Sequence, residues 1–100
     1  MDFIFATREL ERLYTHNQGA AKYPAETVKL FRRRVRHIEA ARDGRDLRIP
    51  PSVHYEKLSG KLSGMSSLRL NDTWRLILSE EETKAGKRIV IREISKHYGD

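Results

Sequence analysis

The chain contains no cysteine, so disulfide staples and thiolate metal sites are excluded, as suits a reducing compartment. Proline is scarce, with three in the chain, and no proline-, serine- or glycine-rich stretch marks a linker. With no repeat or low-complexity tract either, residues 1–100 read as one domain. No apolar run approaches the roughly 18 residues that span a bilayer. Asp2, Arg8 and Glu9 break up any secretory leader core. These absences predict a soluble, cytoplasmic protein with no membrane partner. Aromatic residues make up 8% and apolar residues 38% of the chain, enough for a modest core only. His16, His37, His54 and His97 are scattered, with no carboxylate at ligand spacing, so neither a metal nor another cofactor is expected. A Ser-His-Asp nucleophile elbow and a phosphate-cradling glycine loop are missing too.

What the chain does have is positive charge, a formal +6 with a pI near 9.9. That balance favours an acidic partner: nucleic acid, an anionic surface or an acidic protein. Met1 to Phe5 suits a short first strand. Thr7 offers a helix N-cap oxygen, Glu9 and Glu11 sit in the first turn, and Leu10, Leu13 and Tyr14 form an apolar stripe closed by Gly19. Pro24 opens a second helix whose buried face is Val28, Phe31, Val35 and Ile38, with Gly44 as its stop. Its Lys29, Arg32, Arg33, Arg34, Arg36 and Arg42 form either a solvated face or a ridge for RNA or a protein partner. Asp46 to Pro51 reads as a loop, Val53 to Leu58 as an extended segment, and Glu80 to Gly86 as an acidic loop. Arg88 to Ile94 is a final strand, buried on both faces around Ile89-Val90-Ile91. The expected fold is α+β: an N-terminal strand, then a two-helix antiparallel hairpin packed on one face of a small antiparallel sheet.

The segment Ser67 to Leu78 is the most informative. Leu68, Leu70, Trp74, Leu76 and Leu78 share one parity and Arg69 and Arg75 the other, around an Asn71-Asp72-Thr73 turn. With a three-residue loop, Leu70 pairs with Trp74 and Arg69 faces Arg75. Like charges so placed are unfavourable unless carboxylates or a bound anion relieve them. Parity assigns Trp74 to the core and gives Arg75 the best claim to a phosphate; Tyr55 is the better base-stacking candidate.

His54, Lys57, Lys61, Arg69, Arg75, Lys96, His97 and the Tyr98 phenol gather in the C-terminal half. Such a set suits RNA cleavage through the 2′-hydroxyl. That reaction needs a base, a cation for the phosphoryl oxygens and an acid for the leaving 5′-oxygen. Imidazole fits either proton role, arginine supplies a bidentate phosphate fork, and no metal is required. His16 and His37 read as structural or surface residues.

The run L-R-I-P-P-S-V-H-Y-E-K-L-S-G, followed by S-L-R-L-N-D-T-W-R-L-I-L and a closing His97-Tyr98, resembles the RelE/ParE superfamily of bacterial toxins, the HigB-like branch in particular. The resemblance spans nearly the whole chain, and its most specific piece is Arg69 to Leu76, similar to the family's S-I-R-V-N-D-Q-W-R-I. It implies a RelE-like, microbial-RNase-like toxin of a type II toxin–antitoxin module that cuts translated mRNA at the ribosome. It also implies a cognate HigA-like helix-turn-helix antitoxin, through which alone operator DNA is bound. Position by position, Arg75 matches the phosphate-stabilising arginine of W-R-I and Arg69 the arginine before V-N-D. Leu58-Ser59-Gly60 matches L-K-G, so serine stands where many members have lysine, and Lys57 or Lys61 is left to substitute. The tail Lys96-His97-Tyr98 departs from the frequent D-Y-H. The resemblance thus implies Arg75, His97, His54 and Tyr98 as catalytic residues and Arg69, Lys57, Lys61 and Lys96 as RNA contacts. A ParE-like gyrase poison and a non-catalytic RNA- or antitoxin-binding module are the alternatives on the same fold.

Overall fold

A computed structural model of the chain describes residues 1–96. Strand β1 (Phe3–Phe5) leads into helix α1 (Arg8–His16) and helix α2 (Ala25–Ala40); β2 (Glu56–Lys57), β3 (Met65–Arg69), β4 (Arg75–Thr83) and β5 (Gly86–Ser95) follow. The five strands form one sheet in the order β1-β5-β4-β3-β2. Strands β2 to β5 pair antiparallel, as the sequence predicts, while β1 adds to the edge of β5 in parallel, Ile4 opposite Val90.

Local chemistry sets the helix ends. Thr7 Oγ1 accepts from the Leu10 amide at 3.2 Å, as expected of an N-cap. The α1 C-cap is Asn17 rather than Gly19, in the left-handed conformation at φ 55°. Arg32 of α2 then donates to the free carbonyls of Leu13 and Tyr14, at 2.7 and 2.8 Å, and to Asn17 Oδ1. This satisfies the orphan acceptors at the end of α1 and ties the two helices together. Helix α2 ends four residues before Gly44, at Ala40.

Leu10 and Leu13 of α1 and Val28, Phe31, Val35 and Ile38 of α2 pack on Leu68, Leu70, Leu76, Leu78, Ile89, Ile91 and Ile94. Phe31 is fully buried, with Phe5 and Tyr14 at ring-centroid distances of 6.5 and 6.4 Å. Trp74 has the predicted parity but is only half-buried, edge-on to Tyr23. A bulge in β5 lets the core hold isoleucines of both parities. Leu76 pairs with Ile94 and Leu78 with Ile91, so Arg92 is left over and donates to Ser79 Oγ at 2.9 Å. Ile89 and Ile91 therefore face the helices, while Val90 is buried on the other face.

Glu80 to Gly86 is not the expected acidic loop. Strand β4 runs to Thr83, and only Lys84 and Ala85 turn the chain. Glu81 lies opposite Arg88 and Glu82 opposite Lys87; Glu81 bonds the Arg88 guanidinium and Glu80 sits 3.5 Å from Lys87 Nζ. Cross-strand opposite charges stabilise a ladder that the carboxylates alone would oppose.

Candidate active site

The β3–β4 hairpin takes the register its parity predicts: Leu70 N bonds Trp74 O at 3.0 Å and Arg69 lies opposite Arg75. Asn71 fixes the turn, its Oδ1 accepting from the Thr73 and Trp74 amides, each at 2.9 Å. Asn71 Nδ2 reaches Thr27 of α2 at 3.4 Å, joining the turn to the helix layer.

Arg75 is not displayed as its parity suggests. It is only 6% exposed on the face away from the helices. Its Nε donates to Ser67 Oγ at 2.7 Å, and Nη2 donates to the His54 carbonyl and to Ser67 O at 3.4 Å. Glu56 Oε2 stands 3.6 Å from the same nitrogen. Arg69, 36% exposed at its side chain, pairs with the fully solvated Asp72. Carboxylates thus relieve both arginines, which is how the sheet holds two like charges face to face.

His54 caps the Pro51–Val53 turn in the left-handed region, φ 43° and ψ 60°. That conformation is uncommon for a residue with a side chain. It presents the carbonyl to Arg75 and leaves the imidazole exposed. His54, Arg69, Asn71, Asp72 and Arg75 line one shallow cavity of about 250 Å³. Sequence reasoning named His54, Arg69 and Arg75. It missed Asn71 and Asp72, although the N-D pair of the turn was the available signal.

The other candidates are dispersed. Lys57 pairs with Ser66, the opposite parity to Glu56 and Ser67, and lines a separate cavity with Asp43, Arg45 and Glu80. Lys61 is exposed on a short 3₁₀ turn, Gly60–Leu62. Lys96 is exposed, with Nζ 5.4 Å from the Trp74 ring centroid. His97 and Tyr98 lie outside the described residues. The Arg48 guanidinium sits 4.3 Å from the Tyr55 ring centroid, and the Tyr55 hydroxyl bonds Ser66 Oγ at 2.9 Å, so one face of this stacking candidate is already covered. His16 is exposed and bonds Thr15; His37 bonds the Asp46 carbonyl at 2.9 Å. Among the described residues, no group of three or more histidine or carboxylate side chains is placed to hold a metal ion. Nor is any helix there long and apolar enough to cross a membrane.

Residues 4–89 match a family of HigB-like toxins, described as the RelE-like toxin of the type II toxin–antitoxin system HigB. The chain is 34% identical to Toxin HigB-1 of Vibrio cholerae over 77% of its own length and 81% of that protein. It is 32% identical to an uncharacterised Haemophilus influenzae protein over 75% of this chain and 74% of that one. Among solved structures, a YoeB/ParE toxin from Agrobacterium tumefaciens superposes with TM-score 0.62 at 18% identity, covering 98% of this chain and 100% of that one. The toxin fold recurs in a YoeB–YefM complex from Staphylococcus aureus, TM-score 0.59 at 20% identity, with 98% of each chain covered.

Proposed function

The chain belongs to the HigB-like family of RelE-like toxins of type II toxin–antitoxin systems, and from that premise we propose that it is an endoribonuclease acting on translated mRNA. The observation that carries this reading is the cavity that two facing arginines line together with the exposed His54. The buried Arg75 fork and the more exposed Arg69 form a cationic floor for a phosphodiester. The base draws the proton from the 2′-hydroxyl, whose oxygen attacks phosphorus. The phosphorus–O5′ bond breaks, the acid protonates the leaving oxygen, and a 2′,3′-cyclic phosphate remains. Arg69 and Arg75 hold the charge that gathers on the non-bridging oxygens. His54 serves one proton-transfer role and His97 the other, with Tyr98 orienting the scissile nucleotide; Lys61 and Lys96 extend the cationic surface for RNA. Arg69 is released for phosphate by opening its ion pair with the solvated Asp72, a small barrier because exposed pairs contribute about 0–1 kcal/mol.

A cognate antitoxin, HigA-like and binding operator DNA, would complete the module, with the ribosome presenting mRNA in the cytoplasm. Induced expression should arrest translation and leave transcripts cut within the coding sequence, mapped by primer extension, and co-expressed antitoxin should restore growth. Intact transcripts in arrested cells would sink the ribonuclease reading. DNA breaks in their place would favour a gyrase poison.

A further inference from the structure

The arginines of α2 differ in what they touch. Arg32 is engaged by the carbonyls at the end of α1, and Arg33 and Arg36 are exposed. Arg34 is half-buried, and its Nε donates to the carbonyl of Arg69 at 2.9 Å. Hydrogen bonding of Leu70 to Trp74 turns the Arg69 carbonyl away from β4, and β2 covers β3 only at Ser66 and Ser67. Arg34 therefore reaches the sheet at an uncovered edge, beside a residue whose side chain lines the cavity.

No carboxylate pairs with Arg34 among the described residues, and its two Nη groups have no hydrogen-bond partner there. Neither nitrogen is a buried atom without a partner. Burial disfavours the charged form of Arg34, and the neighbouring Arg33 disfavours it further. A cation held in this way, its Nε on the backbone carbonyl of Arg69, lacks the counter-charge that usually accompanies a partly buried guanidinium. If its role were only to tie α2 to β3, the Nε contact would suffice and the charged fork would be surplus.

We infer that Arg34 forms a second phosphate subsite, which holds the phosphate next along the RNA chain from the one held by Arg69 and Arg75. The inference rests on the ribonuclease reading and extends the substrate beyond a single phosphodiester. It also assigns α2 a part in RNA binding.

The test uses the full chain and two uncleavable probes, a 2′-O-methyl dinucleotide with one phosphate and a 2′-O-methyl hexanucleotide. Affinity for each is measured against salt concentration. Arg34→Gln should weaken hexanucleotide binding several-fold and reduce the log–log salt slope by roughly 0.7, the value of one phosphate contact on a single strand. Dinucleotide binding should not change, and Arg34→Lys should restore the slope. Thermal unfolding of the variants monitors the structural contact separately. An unchanged slope in Arg34→Gln, or equal weakening of both probes, overturns the inference and leaves Arg34 as a positioning residue only. Wild-type protein that binds neither probe also overturns it. Transcript cleavage on ribosomes then decides the ribonuclease reading on its own.

Discussion

On its helix side the sheet presents Leu68, Leu70, Leu76, Leu78, Ile89, Ile91 and Ile94 to Phe31, Val35 and Ile38 of α2, a predominantly apolar layer. On its other face, the hairpin end is organised by Arg75, whose fork is held by Ser67, the His54 carbonyl and Glu56. The first arrangement is non-directional and spread over many contacts, so its strength scales with buried area. The second is directional and concentrated in one side chain, so removing that side chain strands several buried acceptors at once. One face stabilises the molecule through apolar burial; the other gives up part of that stability to hold a buried charge.

The contrast breaks most sharply in the apolar layer. Phe31→Ala should lower unfolding free energy by about 3–5 kcal/mol, the range for deleting a buried aromatic ring. Urea denaturation measures it. A loss under about 1 kcal/mol would mean that the helices do not close the core as described.

Arg75 and Arg69 sharpen the comparison, because they face each other but differ in burial. Arg75→Ala should reduce cleavage roughly 10²–10³-fold, as for loss of one preorganised charge-stabilising donor. It should also destabilise by about 1–3 kcal/mol by unpairing Ser67 and the His54 carbonyl. Arg69→Ala should reduce cleavage while leaving stability within about 0.5 kcal/mol, since its only side-chain partner among the described residues is the exposed Asp72. Paired cleavage assays and melts of the two variants check this. Equal destabilisation would erase the distinction between a buried and an exposed arginine.

Most of this layout is legible in the sequence where the signal is local. Alternation from Leu68 to Leu78 around Asn71-Asp72-Thr73 sets both strands and their register, because a period of two leaves one apolar face. Helix α1 announces itself through Thr7 and α2 through its apolar spacing. What escapes depends on distant partners. The parallel docking of β1 on β5 joins segments far apart in the chain. Strand β4 continues through three consecutive glutamates because Lys87 and Arg88 return opposite them, which no window on that run reveals. Parity gives Arg75 a face but not what covers it; Ser67 and the 51–54 turn do. The separation of Lys57 from the cavity depends in turn on how a two-residue strand registers with β3.

Asn71 lies between the two faces, its side chain bonded to the hairpin turn and to Thr27 of α2. Asn71→Ala should cost about 1 kcal/mol for two backbone donors left to water. The Thr73 and Trp74 amides should exchange with solvent faster while those of the central β4 residues keep their protection. Hydrogen exchange by NMR reads this site by site, and unchanged exchange at both amides would dismiss the side chain as the organiser of the turn.

The smallest effect lies outside both faces and isolates surface charge from either. Asp46, just beyond α2, accepts from the Arg42 backbone amide and Nε at 2.9 and 3.0 Å. The Arg42 side chain first, and its amide second, hold the Asp46 carboxyl down at about 2. The unfolded carboxyl titrates near its ordinary value of about 3.9, so the unfolded state binds the proton more readily. A depressed folded-state pKa therefore adds stability that is present above about pH 4 and lost as pH falls through about 2. Asp46→Asn removes that titration. Melting temperatures of the two proteins should be furthest apart near neutral pH and draw together toward pH 2. A gap that instead widened on acidification would assign the pH dependence to a group elsewhere, and surface charge would have no measurable share in holding the end of α2.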